Sequence, residues 1–487
     1  MTPNPWLTLA DVLRVTDGRL VAGGAGPGAG AAARVAFTEA AIDSRAVPPG
    51  ALFVPLPGER ADGHDFIAAA LEAGAAGSLA RNDWKVPDAV ARGGRPVVAV
   101  ADPLAALQAL ARHCRDAAGI PCVAVTGSNG KTTTKEMIAA VLGTSRRVLK
   151  NVGNQNNQIG LPLTLTRLRP EHQVLVLELA MRAPGEIAEL AAICRPEVGV
   201  LTVVAEAHLE RLGSLEAIAD AKSELAESVS ALGAKGLLVV NADDARLWAR
   251  NRRRPAEVRS YALENVEADL RPLDVTVSAD GGTRFTLPDG TPFALALLGR
   301  HNVRNALAAV LVGDRFGVPR RDAAAALAAL PAPAHRLELV RAGGVTVLDD
   351  CYNANPASMT EALALLGAIE TRGARRAVLG DMLELGPTAE ALHEGIGRRV
   401  PSDAWLYVTG AFAAAVARGA RAAGLPEPRV RRFDDVEALA AALLAETRPG
   451  DLVLVKGSRG MRLERVVNAL APGRAGNAAL PAAAGRE

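Results

Sequence analysis

Two glycines, a lysine and a threonine stand at phosphate-handling spacing in the stretch CVAVTGSNGKTTTKEMIAAVL, residues 122–142. Its first residues read as a short apolar strand, and a helix is expected to open at Lys131. Between them Gly127, Ser128, Asn129 and Gly130 make a tight turn. Such a turn lets backbone N–H groups approach a polyphosphate, and the helix N-terminus adds positive potential. Lys131 then reaches the terminal phosphates, and the Thr132 hydroxyl is placed to ligate Mg²⁺. A full Walker A loop carries a glycine six positions before the lysine. Val125 occupies that position here, so the loop is a shortened G-x-x-G-K-T.

More groups capable of chemistry fall at expected strand ends, where ligands gather in parallel α/β sheets. The run VLVLELA ends its apolar stretch at Glu178, VGVLTVVAEAHLE reaches His208, and GLLVVNADD ends at Asn241. Nucleotide-bound Mg²⁺ takes a loop hydroxyl and a strand-end carboxylate. Glu178 fits the second role, a solvated strand end being the alternative. His208 stays open, because a lone histidine also fits a satisfied core or surface position, and Mg²⁺ is not its preferred metal. Lys222 lies where Ile218, Leu225 and Val229 recur at helical spacing, a pattern that also suits a snorkelling surface lysine. Asn151, Asn154, Gln155, Asn156, Asn157 and Gln158 crowd one loop, where amides suit sugar hydroxyls or amide-bearing substrates, or simply water. His301, Asn302 and Asn305 open a later helix. Asp349 with Asp350, Asp381, and Lys456 with Ser458 end strands nearer the C-terminus. Asp43, Ser44, Arg45 and His64 cluster at Pro-Gly turns, where turn chemistry alone accounts for Asp and Ser.

Positioning these groups takes an α/β fold. A chain of 487 residues accommodates about three domains at ~150 residues each. Residues 1–115 read as a small α/β domain with a helix at 7–15 and a Gly/Ala-rich loop at 21–33. Residues 116–334 alternate strands and helices, the pattern of a mostly parallel sheet covered on both faces. They also carry a small β meander at 270–298 with Asp-Gly turns at Asp280 and Asp289. Residues 335–472 repeat the parallel α/β pattern, and 473–487 have no core-forming pattern, so that tail is expected to be disordered.

The chain is 49% apolar and 22% charged with net charge +2, an ordinary globular balance that favours neither a nucleic acid nor a membrane surface. Only seven of the basic residues are lysines, so Lys131, Lys222 and Lys456 stand out among arginines. Cys114, Cys122, Cys194 and Cys351 lack C-x-x-C spacing, which excludes a zinc or disulfide framework of the usual kinds. With no signal peptide and no long apolar run, a reducing cytoplasm is the expected compartment.

TGSNGKTT, NQNNQIGLPLTL, the strand-end Glu178, AHLERLGS, AKSEL, GRHNVRNALAA and KGSRGMRLE together resemble the Mur ligase family, in the family's order and over nearly the whole chain. LDDCYNANPASM, GDMLELG and DSRAVPPGALFVPLPGERADGHDF are similar to the branch that adds D-alanyl-D-alanine. The resemblance implies an N-terminal domain that holds UDP-N-acetylmuramoyl-tripeptide, a central P-loop ATPase and a C-terminal Rossmann-like domain that closes over ATP. It implies two Mg²⁺ ions, one held by Thr132 and Glu178, the other served by His208 and a carbamylated Lys222. Gly127, Ser128, Asn129, Gly130, Lys131, Thr132 and Thr133 would cradle the phosphates. His301, Asn302 and Asn305 would lie by adenine and ribose, with Arg336 and Asp350 reaching the nucleotide from the third domain. Ser44, Arg45, Asn154 and Asn156 would face the UDP-linked substrate. Tyr352, Asn353, Asn355, Lys456 and Ser458 are the candidates for the dipeptide or the reacting carboxylate.

The chemistry implied is phosphorylation of a substrate carboxylate, then attack by the dipeptide amine on the acyl phosphate, in a monomer that uses no nucleic acid and no stable membrane insertion. Another Mur ligase or a folylpolyglutamate synthase-like ligase is the near alternative. A P-loop motor acting on a macromolecule is the distant one, and the basic face or repeats it would need are missing from the sequence.

Overall fold

The computed structural model describes residues 2–23, 35–58, 61–206, 209–277 and 282–472. Most of the Gly/Ala-rich loop, His208, the Asp280 turn and the tail 473–487 lie outside them. Three α/β units follow one another along the chain, each built on its own sheet.

The first sheet runs in the order Arg19–Ala22, Val97–Val100, Gly77–Arg81, Leu52–Phe53, Ala40–Ala41, parallel except for its first pair. The expected N-terminal helix forms as Leu9–Thr16, started by a capping box between Thr8 and Asp11. Helix Pro103–Ala118 starts on the Asp102 cap and stops at Gly119, whose left-handed φ of 59° suits a glycine. The expected division at 115/116 falls in its last turn. There the buried Arg115 donates to the Cys194 carbonyl (2.8 Å) and to Glu197 (3.1 Å). Glu197 in turn accepts the Cys122 N–H (2.6 Å), tying this helix to the start of the phosphate-loop strand.

The central sheet is wholly parallel, in the order Glu257–Tyr261, Leu237–Asn241, Val198–Leu201, Cys122–Thr126, Val174–Glu178, Val148–Lys150. Helices cover both faces, so its strands need apolar side chains on both sides. Cys122 and Ala124 pack into one core, Val123 and Val125 into the other. The chain leaves Cys122–Thr126 toward one edge and leaves Val198–Leu201 toward the other. The carboxyl ends of these neighbouring strands therefore flank a crevice at the point where strand order reverses. The meander forms as Asp274–Val277, Thr283–Thr286 and Pro292–Leu295, turning at Asp289 and Gly290 (φ 85°), with Phe285 stacked on Phe293.

The third sheet has the order Glu338–Ala342, Val345–Asp350, Leu452–Lys456, Arg375–Leu379, Trp405–Thr409, Val430–Phe433, parallel beyond its first pair. Asp350 and Lys456 are register partners at its carboxyl edge. The chain enters this unit through His335 and Leu337, both left-handed at φ 60° and 52°. The buried His335 ring bonds Asp349 through Nδ1 (2.8 Å), and the Cys351 thiol donates to the same carboxylate (3.0 Å). These bonds hold the entry segment in a backbone conformation that non-glycine residues avoid.

Inside the same unit Arg376 is buried and donates to Asp451 (2.8 Å), the Tyr407 hydroxyl (2.6 Å) and the Glu446 carbonyl (2.7 Å). Arg376→Ala leaves a buried Asp451 without its countercharge and is expected to lower stability by about 3–5 kcal/mol. Arg431→Ala, which removes a far more exposed ion pair with Glu446, should cost less than about 1 kcal/mol. Urea titrations of both variants check the contrast; equal shifts would refute it.

Candidate active site

The phosphate loop sits in the central crevice because neighbouring strand ends clamp it. Ser128 N–H donates to the Val203 carbonyl (2.6 Å), and the Ser128 hydroxyl exchanges hydrogen bonds with the Ala205 backbone. Thr202 Oγ1 donates to the Asn129 carbonyl (2.6 Å). The approach is close enough that a Cβ on Gly127 would overlap the Thr202 hydroxyl, and one on Gly130 would lie 2.7 Å from Asn305 Oδ1. Both glycines also have positive φ, 153° and 79°. Glycine is thus required at each by conformation and by space. Lys131 opens the helix Lys131–Gly143 and folds its ammonium back onto the Gly127 (2.8 Å) and Ser128 (3.2 Å) carbonyls.

Glu178 ends its strand beside the first turn of that helix, 3% exposed. Thr132 Oγ1 donates to Glu178 Oε2 (2.8 Å) and Asn156 Nδ2 to Oε1 (2.8 Å). Asn151 grips the Glu178 backbone from both sides, accepting its N–H (2.9 Å) and donating to its carbonyl (3.0 Å). The buried Lys135 ammonium bonds the Asn151 carbonyl (2.7 Å), so the amide loop is locked to the helix as well. A threonine hydroxyl and a carboxylate in contact make an all-oxygen pair, the donor type that Mg²⁺ takes.

A cavity of about 240 Å³ opens above the loop. Ser128, Asn129, Gly130, Lys131, Thr132, Thr133, Asn156, Glu178, His301, Asn302 and Asn305 line it from the central unit. Arg336, Asp350, Tyr352, Asn353, Asn355 and Lys456 line it from the third. Arg336 stacks over the Tyr352 ring at 4.1 Å, and Lys456 pairs with Asp350 (2.6 Å) while donating to the Asn353 carbonyl (3.1 Å). Asn129 and Asn355 exchange side-chain amide hydrogen bonds of 3.1 and 2.6 Å across the two units. The lining omits Ser44, Arg45 and Asn154: Arg45 is an exposed partner of Asp43 and Asn154 is exposed. Ser458 stands behind it, accepting the Leu383 N–H (2.9 Å). Gly127 and Lys222 are not among the lining residues, and Asn156, expected to face a substrate, lines the cavity and bonds Glu178.

Sequence reasoning missed Glu361 and Ser358, which also line the cavity. They lie inside the helix Pro356–Ala368, where polar residues three apart look like any solvated face. Asn151 and Thr202 carried weak signals, one in the amide run and one at a strand end.

Electrostatically the site disfavours the charged form of two lysines. Burial lowers the Lys131 pKa against the opposing pull of Glu178, and Arg336 adds to the lowering. Lys222, 3% exposed on the helix Leu215–Ser230, is driven well below the ordinary value of 10.5 by burial first and by the Lys131 charge second. Burial likewise lowers His301, with Glu361 opposing.

Phosphate cradle, oxygen pair and a cavity closed by a second parallel sheet define a P-loop-type nucleotide-handling α/β enzyme. The chain belongs to the Mur ligase family. Its residues 37–115 match the model of the Mur ligase family catalytic domain, 125–313 the Mur ligase middle domain, and 335–459 the Mur ligase glutamate ligase domain. It is 39% identical to the UDP-N-acetylmuramoyl-tripeptide–D-alanyl-D-alanine ligase of Bacillus subtilis, covering 88% of this chain and 92% of that one. The fold is similar to that of MurF from Acinetobacter baumannii, with a TM-score of 0.82, 27% identity, and coverage of 96% and 99%. MurF from Thermotoga maritima, solved in complex with ADP, matches at a TM-score of 0.77 and 30% identity over 89% of this chain and 97% of that one.

Two outcomes follow from this geometry. Gly127→Ala is expected to displace the loop from Thr202 and to abolish nucleotide binding measured by calorimetry, with wild-type affinity as the contrary result. Lys222 has a folded pKa below its unfolded one. Between the two the unfolded chain binds more protons, so the amine destabilises the fold at neutral pH, and this penalty fades as pH rises toward 10.5. Lys222→Met should therefore raise the melting temperature at pH 7, with the gain shrinking in alkaline buffer. A lower melting temperature at pH 7 would contradict the sign.

Proposed function

We propose that the chain is an ATP-dependent carbon–nitrogen ligase that adds D-alanyl-D-alanine to UDP-N-acetylmuramoyl-tripeptide, releasing ADP and phosphate, in cytoplasmic peptidoglycan precursor synthesis. It acts as a monomer on small molecules, with no part played by nucleic acid or a membrane span. Among the described residues no helix is long and apolar enough to cross a membrane. The observation that carries the reading is the single cavity in which the phosphate loop and the Thr132–Glu178 pair oppose the third unit's Asp350, Tyr352, Asn353, Asn355 and Lys456. The domains are assigned as 1–115 for the UDP-linked substrate, 116–334 for ATP and 335–472 for closure.

In the mechanism, Lys131 leaves the loop carbonyls to pair with the γ-phosphate, and loop N–H groups from Gly127 to Thr133 hold the β- and γ-oxygens. Thr132 and Glu178 would hold one Mg²⁺, and their all-oxygen chemistry fits it. His208, with Lys222 as its carbamate, would serve a second. Bound there, the ions neutralise charge on the transferring phosphoryl group. Carbamylation needs a neutral amine, and burial of Lys222 favours that form. His301, Asn302 and Asn305 flank the adenosine, joined by Arg336 and Asp350 from the third unit. Ser44, Arg45, Asn154 and Asn156 address the UDP-linked substrate, Asn156 also orienting Glu178. Tyr352, Asn353, Asn355, Lys456 and Ser458 place the dipeptide amine against the acyl phosphate. Closure of the third unit keeps water from that intermediate.

Incubation with ATP, UDP-N-acetylmuramoyl-tripeptide and D-alanyl-D-alanine should release phosphate and peptide product one for one. Phosphate release with D-glutamate or a diamino acid, and none with the dipeptide, would overturn the assignment. Lys131→Ala should cut turnover by about 10²-fold or more. Lys222→Ala should lose most activity and regain part of it in short carboxylates, whereas full activity without them would remove Lys222 from the site.

A further inference from the structure

His301, Arg304 and Asn305 share one face of the helix Arg300–Arg315, at i, i+3 and i+4. Asn305 meets the phosphate loop at Gly130. On the other side of the cavity, Asn355 caps the helix Pro356–Ala368 and bonds Asn129 of the same loop, while Ser358 and Glu361 run along that helix's cavity side. Glu361 Oε1 accepts from Arg304 Nη2 at 2.6 Å, and its Oε2 lies 3.6 Å from His301 Nδ1. These are contacts between the central and third units, and all of them touch the cavity wall or the loop beneath it.

We propose that Glu361 is the positioning residue that latches the third unit shut over the nucleotide, by pairing with Arg304 across the cavity, beside His301. The proposal rests on the ligase reading above only for its substrates. An ion pair whose side chains remain 28% and 38% exposed adds little to folding, since solvent screens it. Its effect lies elsewhere. Both partners keep their own folded units when the cavity opens, so the pair biases open against closed rather than folded against unfolded. The amide exchange between Asn129 and Asn355 sits at the start of the same helix. Seating the loop and engaging the latch are therefore one movement of one rigid element. Glu361 touches neither phosphate nor amine in this assignment, so its loss should leave the chemical groups in place and let water in.

The test measures ATP KM, peptide formation and phosphate release for wild type, Glu361→Gln, Arg304→Ala and the exchanged pair Glu361→Arg with Arg304→Glu, melting curves being recorded for each. The near-isosteric Glu361→Gln keeps the experiment open should the exchanged pair not fold. Expected are an ATP KM raised by roughly three- to tenfold, phosphate released in excess of peptide formed, little change in melting temperature, and partial recovery in the exchanged pair. Unchanged KM and one-for-one release in both single variants would overturn the latch, as would an exchanged pair that folds but is no better than the product of the single defects. If wild type forms no peptide, the ligase reading fails on its own. The latch is then read from ATP-induced compaction in small-angle scattering, where equal compaction of wild type and Glu361→Gln overturns it.

Discussion

A carboxyl group 3% exposed must have its oxygens met by donors or the fold suffers. At Glu178 this requirement organises the central unit. Thr132 ties the carboxylate to the phosphate-loop helix, Asn156 ties it to the amide loop, and Asn151 fixes the backbone that aims it. Three segments far apart in the chain are brought to one point by the needs of one side chain. The Thr132 hydroxyl and the Glu178 carboxylate meet there as an all-oxygen pair, the donor type a hard cation takes. The parallel sheet contributes what no loop could, a rigid strand end that keeps Glu178 at a fixed distance from Lys131.

The third unit answers to a different constraint. Its sheet ends in Asp350 and Lys456, paired in register, and their bond (2.6 Å) gives each charge its partner at the cavity wall. The entry segment through His335 and Leu337 holds a conformation that costs about 1–3 kcal/mol per residue elsewhere. The Asp349 bonds to His335 and Cys351 and the Asp350 bond to the Leu337 N–H (3.2 Å) offset that cost. Both carboxylates belong to one strand, so the strand that supplies a cavity residue also anchors the joint about which the unit would move.

Much of the fold was legible because parallel α/β units announce themselves in apolar runs that end on polar residues. The phosphate loop was legible for a stricter reason: Gly127 and Gly130 are forced by contact with Thr202 and Asn305, and the lysine and threonine must follow at once to stand at a helix start. The rest of the site was not. Glu361 faces the cavity only because two units meet there, and a distance between domains leaves no periodicity in either. Asn156 lines the cavity and also bonds Glu178, and an amide in a loop carries no sign of which partner it will find. Ser44, Arg45 and Asn154 owe their roles to resemblance alone, and the cavity lining does not include them. His208 lies outside the described residues, so its place beside Lys222 rests on resemblance too.

Lys131 and Lys222 expose the tension in this arrangement. Lys222 is buried and Lys131 half-buried, desolvation disfavours the charged form of each, and the Lys131 charge pushes Lys222 further down. A fold selected for stability alone would not bury a lysine within reach of a second one. On the proposed function that proximity has a chemical use: phosphate oxygens would pair with Lys131, and a carbamate would turn Lys222 into an oxygen ligand. In the proposed reaction, binding energy would be realised as charge pairing at the reacting phosphate and not merely as affinity.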